Sequence, residues 1–153
     1  CPHCHALEPE INPWIKKLPK DVAFRRIPAM FNENWAVAGR IFYTLEAMNE
    51  LERLHTPLFD AIHKDNLRVT NKSALDEWLK RNNVDVAKFD ATAKSFAVES
   101  RVKRAVDLTH AVKQMDGVPA IVVNGRQLVV AGSPKKMLET TDFLIESARK
   151  GGK

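Results

Sequence analysis

The chain begins with the stretch CPHCHALEP, residues 1–9, which contains both of its cysteines, Cys1 and Cys4. Two residues separate the cysteines, and a histidine follows the second one. This spacing is typical of three kinds of site: a redox-active dithiol, the attachment motif of c-type haem, and one half of a zinc site.

A haem or zinc site would need further ligands from elsewhere in the chain. In a c-type haem, His5 would be the proximal iron ligand, and a methionine or histidine would have to supply the distal one. A structural zinc site generally has four cysteine or histidine ligands in close pairs. No second Cys-X-X-Cys and no His-X-X-X-His follows the first motif. The sequence therefore supports these two alternatives less well than a dithiol, and an absorption spectrum or a metal analysis would separate them.

The position of the pair at a predicted helix start favours the dithiol. Pro2 suits the first turn of a helix, because its missing N–H would have no partner there. A cysteine at a helix N-terminus faces unpaired N–H groups and the positive end of the helix dipole, and both stabilise a thiolate. One or two such effects of up to ~2 kcal/mol would lower the pKa of Cys1 from about 8.5 to roughly 6 or 7. We therefore expect Cys1 to be the nucleophile, Cys4 the resolving cysteine one turn deeper, and His3 a further stabiliser of the thiolate.

Length and composition exclude several other classes of protein. A chain of 153 residues suits one domain, or one domain with an insertion. The hydrophobic fraction of 44% allows a real core, and the net charge of +5 is spread along the chain. It lacks the clustered lysines and arginines of a nucleic-acid arm. No stretch reaches the ~18 apolar residues of a membrane span.

Hydrophobic periodicity predicts a mixed α/β fold. Residues 22–27 have the composition of a strand, and residues 120–123 and 127–130 are two short apolar runs separated by a turn that contains Asn124-Gly125. Asn-Gly between apolar runs is a strong signal for a hairpin. Residues 32–97 show only stripes at helical spacing, including a short helix that Thr56-Pro57 is predicted to begin. We expect the strand and the hairpin to share a sheet.

The motif Cys1-Pro2-His3-Cys4 resembles the active site of the DsbA-type thiol:disulfide oxidoreductases, which are bacterial periplasmic proteins of thioredoxin fold. The segment GVPAIVVNG, residues 117–125, is similar to the one that carries the cis-proline of this fold. The helical stretch resembles the domain that the family inserts into its thioredoxin core. The resemblance covers essentially the whole chain. It implies an α/β, thioredoxin-like domain formed by residues 1–31 and 98–153, with an all-helical insertion at residues 32–97.

The family pattern implies roles for five residues. Cys1 would be the nucleophile and Cys4 the resolving cysteine, and His3 would tune the redox potential. Pro119, in cis, would pack against the disulfide and leave the backbone of Val118 free to pair with an extended substrate. The redox-active disulfide would be the reactive group, with no cofactor. The resemblance also implies a strongly lowered nucleophile pKa and an oxidising potential.

The function that the resemblance implies is the donation of the Cys1–Cys4 disulfide to reduced or unfolded secreted polypeptides in the periplasm, after removal of a signal peptide. A membrane quinone-linked partner of the DsbB type would reoxidise the protein, and a monomer that binds no nucleic acid is expected. The thioredoxin fold also places strands before the Cys-X-X-Cys motif, and we expect that such residues are not part of this sequence. Two alternatives stay open: a reductase or isomerase of the same fold, and a non-catalytic peptide-binding module with an unreactive Cys1.

Overall fold

The computed structural model describes residues 1–112, 115–130 and 132–151. Seven helices and two strands lie in this part of the chain. In chain order they are α1 (Pro2–Lys16), α2 (Glu33–Ala47), α3 (Leu51–His63), α4 (Lys72–Arg81), α5 (Val86–Ala93), α6 (Phe96–Ala111), β1 (Ile121–Val123), β2 (Gln127–Val129) and α7 (Pro134–Gly151).

The chain forms two compact units. The first contains Cys1–Arg25 and the described residues after position 114, and the second contains Arg26–Val112. The predicted insertion, residues 32–97, lies within the second unit and contains helices and no strand, as predicted. The second unit extends beyond the predicted boundary at residue 97, because α6 packs against α2. The side chains of this contact form one buried cluster: Met30, Phe42, Tyr43, Val98, Val102 and Ala105.

The second unit has its main core among α2, α3, α4 and α5. Leu45 of α2 and Leu79 of α4 are both 0% exposed at its centre. Polar side chains begin these helices. The side chain of Asn32 accepts a hydrogen bond from the backbone N–H of Trp35, and Asp85 accepts one from Lys88. Such caps satisfy the free N–H groups of a first helical turn.

Helix α3 corrects one prediction. The sequence predicted that Thr56-Pro57 begins a helix, but α3 runs without interruption from Leu51 to His63 with Pro57 inside it. The break occurs earlier, at Asn49, whose φ of 58° lies in the left-handed region. A proline inside a helix costs a hydrogen bond. Buried side chains on both sides of Pro57, Leu54 and Leu58, offset that cost and keep the helix continuous.

The first unit packs α1 and the β1–β2 hairpin against α7. The two strands are antiparallel, with Ile121 opposite Val129 and Val123 opposite Gln127. The turn between them contains Asn124 at φ 56° and Gly125 at φ 69°. Positive φ values at both positions are what an Asn-Gly turn provides. The predicted hairpin is confirmed.

The predicted strand at residues 22–27 is wrong, because this segment has no regular secondary structure. A strand requires a neighbouring strand to exchange backbone hydrogen bonds with, and the sheet of the described residues contains only β1 and β2. The apolar residues of the segment pack instead. The ring of Phe24 meets Trp14 of α1 edge-on, with 6.1 Å between the ring centroids.

We predict that Leu45→Ala lowers the free energy of unfolding by about 2–5 kcal/mol, because it leaves a cavity at a fully buried site. Chemical denaturation of the purified protein measures this loss. Leu108→Ala, at a leucine that is 37% exposed, is the matched control and should cost much less. Equal losses for the two variants would contradict this description of the core.

Candidate active site

The site is built on the first turn of α1. Cys1 is the N-cap residue and Pro2 the first helical residue, as the sequence predicted. The Sγ atom of Cys1 accepts a hydrogen bond from the backbone N–H of Cys4 at 3.1 Å. The sulfur therefore satisfies one of the free N–H groups of the helix and lies at the positive end of its dipole. Both features stabilise negative charge on Cys1.

Cys4 lies in a different environment. Burial raises the pKa of the Cys4 thiol to about 11, the carboxylate of Glu8 contributes to this rise, and the amino terminus acts against it. A thiol with this pKa carries very little thiolate at neutral pH, and thiolate is the form that attacks. The two cysteines are not joined by a disulfide in this structure. Their difference in environment supports the predicted roles of Cys1 as nucleophile and Cys4 as resolving cysteine.

The segment before β1 also reaches the site. The thiol of Cys1 donates a hydrogen bond to the backbone carbonyl of Val118, with 3.7 Å between sulfur and oxygen. The peptide bond between Val118 and Pro119 is cis, as predicted. The structure thus brings together two positions that are 117 residues apart in the sequence. Contact between the Pro119 ring and the sulfurs stays a prediction.

His3 occupies the first turn of α1 between the two cysteines, and its side chain is exposed. The tuning role of His3 stays a prediction.

Glu8 is a residue of the site that the sequence analysis missed. It is 7% exposed, and it is the one charged residue among the buried residues of α1. The available signal was its spacing. Glu8 lies four residues after Cys4, and residues four apart are neighbours on one face of a helix. Spacing alone could not show that this face is buried.

The described residues contain no group of three or more histidine, cysteine, aspartate or glutamate side chains that could hold a metal ion. None of the helices in the described part of the chain combines the length and the apolar character needed to cross a lipid bilayer.

Comparison with known proteins identifies the family. Residues 16–141 match the model of a DSBA-like thioredoxin domain. The chain belongs to the DSBA-like thioredoxin family. This result confirms the predicted thioredoxin-like fold with its helical insertion and the predicted thiol:disulfide oxidoreductase activity.

Individual members of the DSBA-like family match nearly the whole chain. The thiol:disulfide interchange protein DsbA of Azotobacter vinelandii is 43% identical over 152 residues, which cover 97% of this chain and 71% of that protein. The Pseudomonas aeruginosa protein of the same name is 41% identical over 156 residues, which cover all of this chain and 74% of the relative. The crystal structure of Pseudomonas aeruginosa DsbA superposes with a TM-score of 0.91 at 40% identity, covering 99% of this chain and 80% of the other.

We predict that alkylation of the reduced protein labels Cys1 first and leaves Cys4 unlabelled at neutral pH. The pKa of Cys4 is raised to about 11, so its thiolate and its labelling should appear only as the pH rises towards that value. The labelling rate of Cys1 should show a midpoint near pH 6 or 7 (a rough value from helix-terminus effects). Mass spectrometry after pH-controlled alkylation measures both rates. Labelling of Cys4 before Cys1, or a Cys1 midpoint above pH 8, would reverse the assigned roles.

Proposed function

We propose that this member of the DSBA-like family donates its Cys1–Cys4 disulfide to reduced polypeptides during oxidative folding in the bacterial periplasm. The observation that carries the proposal is the asymmetry of the dithiol. The Cys1 sulfur accepts the N–H of Cys4 at the start of a helix, whereas Cys4 is a half-buried thiol whose pKa is raised to about 11. Stabilisation of the Cys1 thiolate favours the reduced protein, and a disulfide whose reduced form is stabilised is a good oxidant.

The exchange consists of two attacks. A substrate thiolate attacks the Sγ atom of Cys1, the Cys1–Cys4 bond breaks, and Cys4 leaves as a thiolate that takes up a proton. A second substrate thiolate then attacks the substrate sulfur of the mixed disulfide and releases Cys1 as a thiolate. Two substrate thiols are thereby oxidised to a disulfide, and the two electrons remain on the Cys1–Cys4 pair. The helix terminus stabilises the Cys1 thiolate that leaves in the second step.

The hydrogen bond between Cys1 and the backbone of Val118 supports a role of Val118 in holding the substrate. Its carbonyl lies 3.7 Å from the Cys1 sulfur and accepts the thiol proton in the reduced protein. In the disulfide form Cys1 has no proton to donate, so this carbonyl can accept an N–H from an extended polypeptide instead. Such pairing would bring a substrate cysteine next to Cys1. Pro119 would complete this surface by packing against the disulfide.

Several parts of the proposal depend on the family alone. They are the secreted clients, a removed signal peptide, reoxidation by a membrane quinone-linked partner of the DsbB type, a monomeric state, and a reaction that needs no cofactor besides the disulfide. A reductase or isomerase of the same fold is the second candidate, because the redox potential decides the direction of exchange. Equilibration of the dithiol against glutathione buffers measures that potential. A redox potential close to that of thioredoxin, about −270 mV, would favour the reductase.

We predict that Cys4→Ser converts the protein into a trap for substrate. In this variant Cys1 can still form a mixed disulfide, but no resolving thiol remains to displace the bound polypeptide. Incubation of Cys4→Ser with a single-cysteine peptide, activated as its mixed disulfide with 5-thio-2-nitrobenzoate, should release the nitrobenzoate thiolate and leave a stable Cys1–peptide disulfide that mass spectrometry detects. Cys1→Ser is the matched control and should give no adduct, because the raised pKa of Cys4 leaves very little thiolate at neutral pH. Adducts at equal levels in both variants would contradict the assignment of Cys1 as the nucleophile, and no adduct in either would favour the non-catalytic binding module.

We predict that His3→Ala makes the disulfide less oxidising by about 30 mV, since a charge-assisted hydrogen bond to the Cys1 thiolate contributes ~1.5 kcal/mol. Equilibration with glutathione measures the change. His5→Ala, in the same turn but outside the motif, is the control and should shift the potential less. An unchanged potential for His3→Ala would show that His3 is only a spacer.

A further inference from the structure

The buried face of α1 carries one acidic side chain. The buried residues of this helix are Leu7, Glu8 and Ile11, and Leu7 and Ile11 belong to an apolar cluster with Leu138 of α7. Glu8 is 7% exposed. Acidic side chains are rarely this buried without a specific reason. The dithiol exchange described above uses no such group.

The helix places Glu8 one turn below Cys4. Residues four apart lie above one another on the same face of a helix, about 5–6 Å apart at their Cβ atoms. Cys4 is half-buried on that face. The pair therefore consists of a carboxyl group and a thiol at adjacent positions with limited access to water, and a charge on one strongly affects the other in such a setting.

In the part of the chain that the structure describes, one charge besides Glu8 acts clearly on Cys4. The amino terminus lowers its pKa, whereas burial and the Glu8 carboxylate raise it. From α7, Asp142 accepts a hydrogen bond from Trp14 at 2.8 Å. Trp14 lies ten residues after Cys4, about 15 Å further along the helix. In the segment before Val118, Asp116 is exposed, where water screens its charge.

We propose that Glu8 is a positioning residue for disulfide exchange: once the disulfide has opened, its carboxylate keeps Cys4 in the thiol form, so that Cys1 alone is the nucleophile of the reduced protein. This inference rests on the exchange proposed above. Its consequence concerns the mixed disulfide. The mixed disulfide can return to the Cys1–Cys4 disulfide without oxidising the substrate. For this unproductive return, Cys4 must lose its proton and attack the Cys1 sulfur, and the substrate then leaves as a thiolate. Scarcity of the Cys4 thiolate slows this return and gives a second substrate thiol time to complete the oxidation.

The first test measures the acidity of Cys4 in a Cys1→Ser background, which keeps a polar atom at the N-cap and leaves one thiol. We expect Glu8→Gln to lower the pH midpoint of Cys4 alkylation by roughly half to one unit, a three- to tenfold rise in thiolate at a given pH. Glu10→Gln is the matched control, because Glu10 is an exposed acid on the same helix. It should leave the midpoint unchanged.

A midpoint in Glu8→Gln that is equal to or above that of its parent would overturn the proposal. Should Glu8→Gln fail to fold, Glu8→Met removes the charge with an apolar side chain of similar length, which suits a face shared with Leu7 and Ile11. The same fall of the midpoint is expected for Glu8→Met. This test uses no substrate, so its failure leaves the proposed exchange unaffected.

The second test measures how fast Cys4 closes the disulfide in a Cys1–glutathione mixed disulfide. A lower pKa gives Cys4 roughly three- to tenfold more thiolate but also makes each thiolate less nucleophilic. Closure in Glu8→Gln at pH 7 should therefore be about two- to threefold faster. Glu10→Gln should close at the rate of the unmodified protein. Slower closure in Glu8→Gln would show that the carboxylate accepts the Cys4 proton, and this result would overturn the proposed role. Failure of the exchange itself would appear differently, as the absence of a Cys1 adduct in Cys4→Ser.

Discussion

The hydrogen bond from the backbone N–H of Cys4 to the Cys1 sulfur, 3.1 Å long, is the interaction on which the site depends. It makes Cys1, the proposed nucleophile, the N-cap of α1. Any charge that develops on this sulfur is stabilised by a backbone group that is already in place and needs no rearrangement. The same hydrogen bond holds the two cysteines one turn apart, so that a disulfide between them closes a small ring within α1.

This arrangement makes two identical side chains chemically different. Cys1 lies at the end of the helix with an N–H directed at it, and Cys4 lies one turn inside, where burial and Glu8 raise its pKa to about 11. The proposed direction of the exchange follows from this difference, because the sulfur that forms the more stable thiolate is the better leaving group. The Cys-X-X-Cys spacing permits this asymmetry, whereas the surroundings of each sulfur produce it.

The rest of the first unit keeps this helix in place. Leu7 and Ile11 pack with Leu138 of α7, and the indole N–H of Trp14 donates to Asp142 of the same helix at 2.8 Å. The hairpin that packs on α7 follows directly after Pro119, so one helix supports both the dithiol and the segment that presents the Val118 carbonyl. A site assembled from two distant segments requires such a shared support, since each segment alone would move independently.

The sequence by itself determined the features that depend on neighbouring residues. Pro2 and Cys1 mark the start of α1, Asn124-Gly125 marks the hairpin turn, and helical stripes mark residues 32–97, because each of these signals acts within a few residues of the chain. Tertiary structure decided the rest. Residues 22–27 have strand composition, yet a strand forms only where a neighbouring strand pairs with it. Pro57 stays within α3 because buried leucines on both sides hold that helix. The burial of Glu8 and the approach of Val118 to Cys1 arise from contacts between distant parts of the chain, and no local pattern encodes such contacts. The raised pKa of Cys4 has both origins: burial is its main cause, and the Glu8 carboxylate four residues away adds to it.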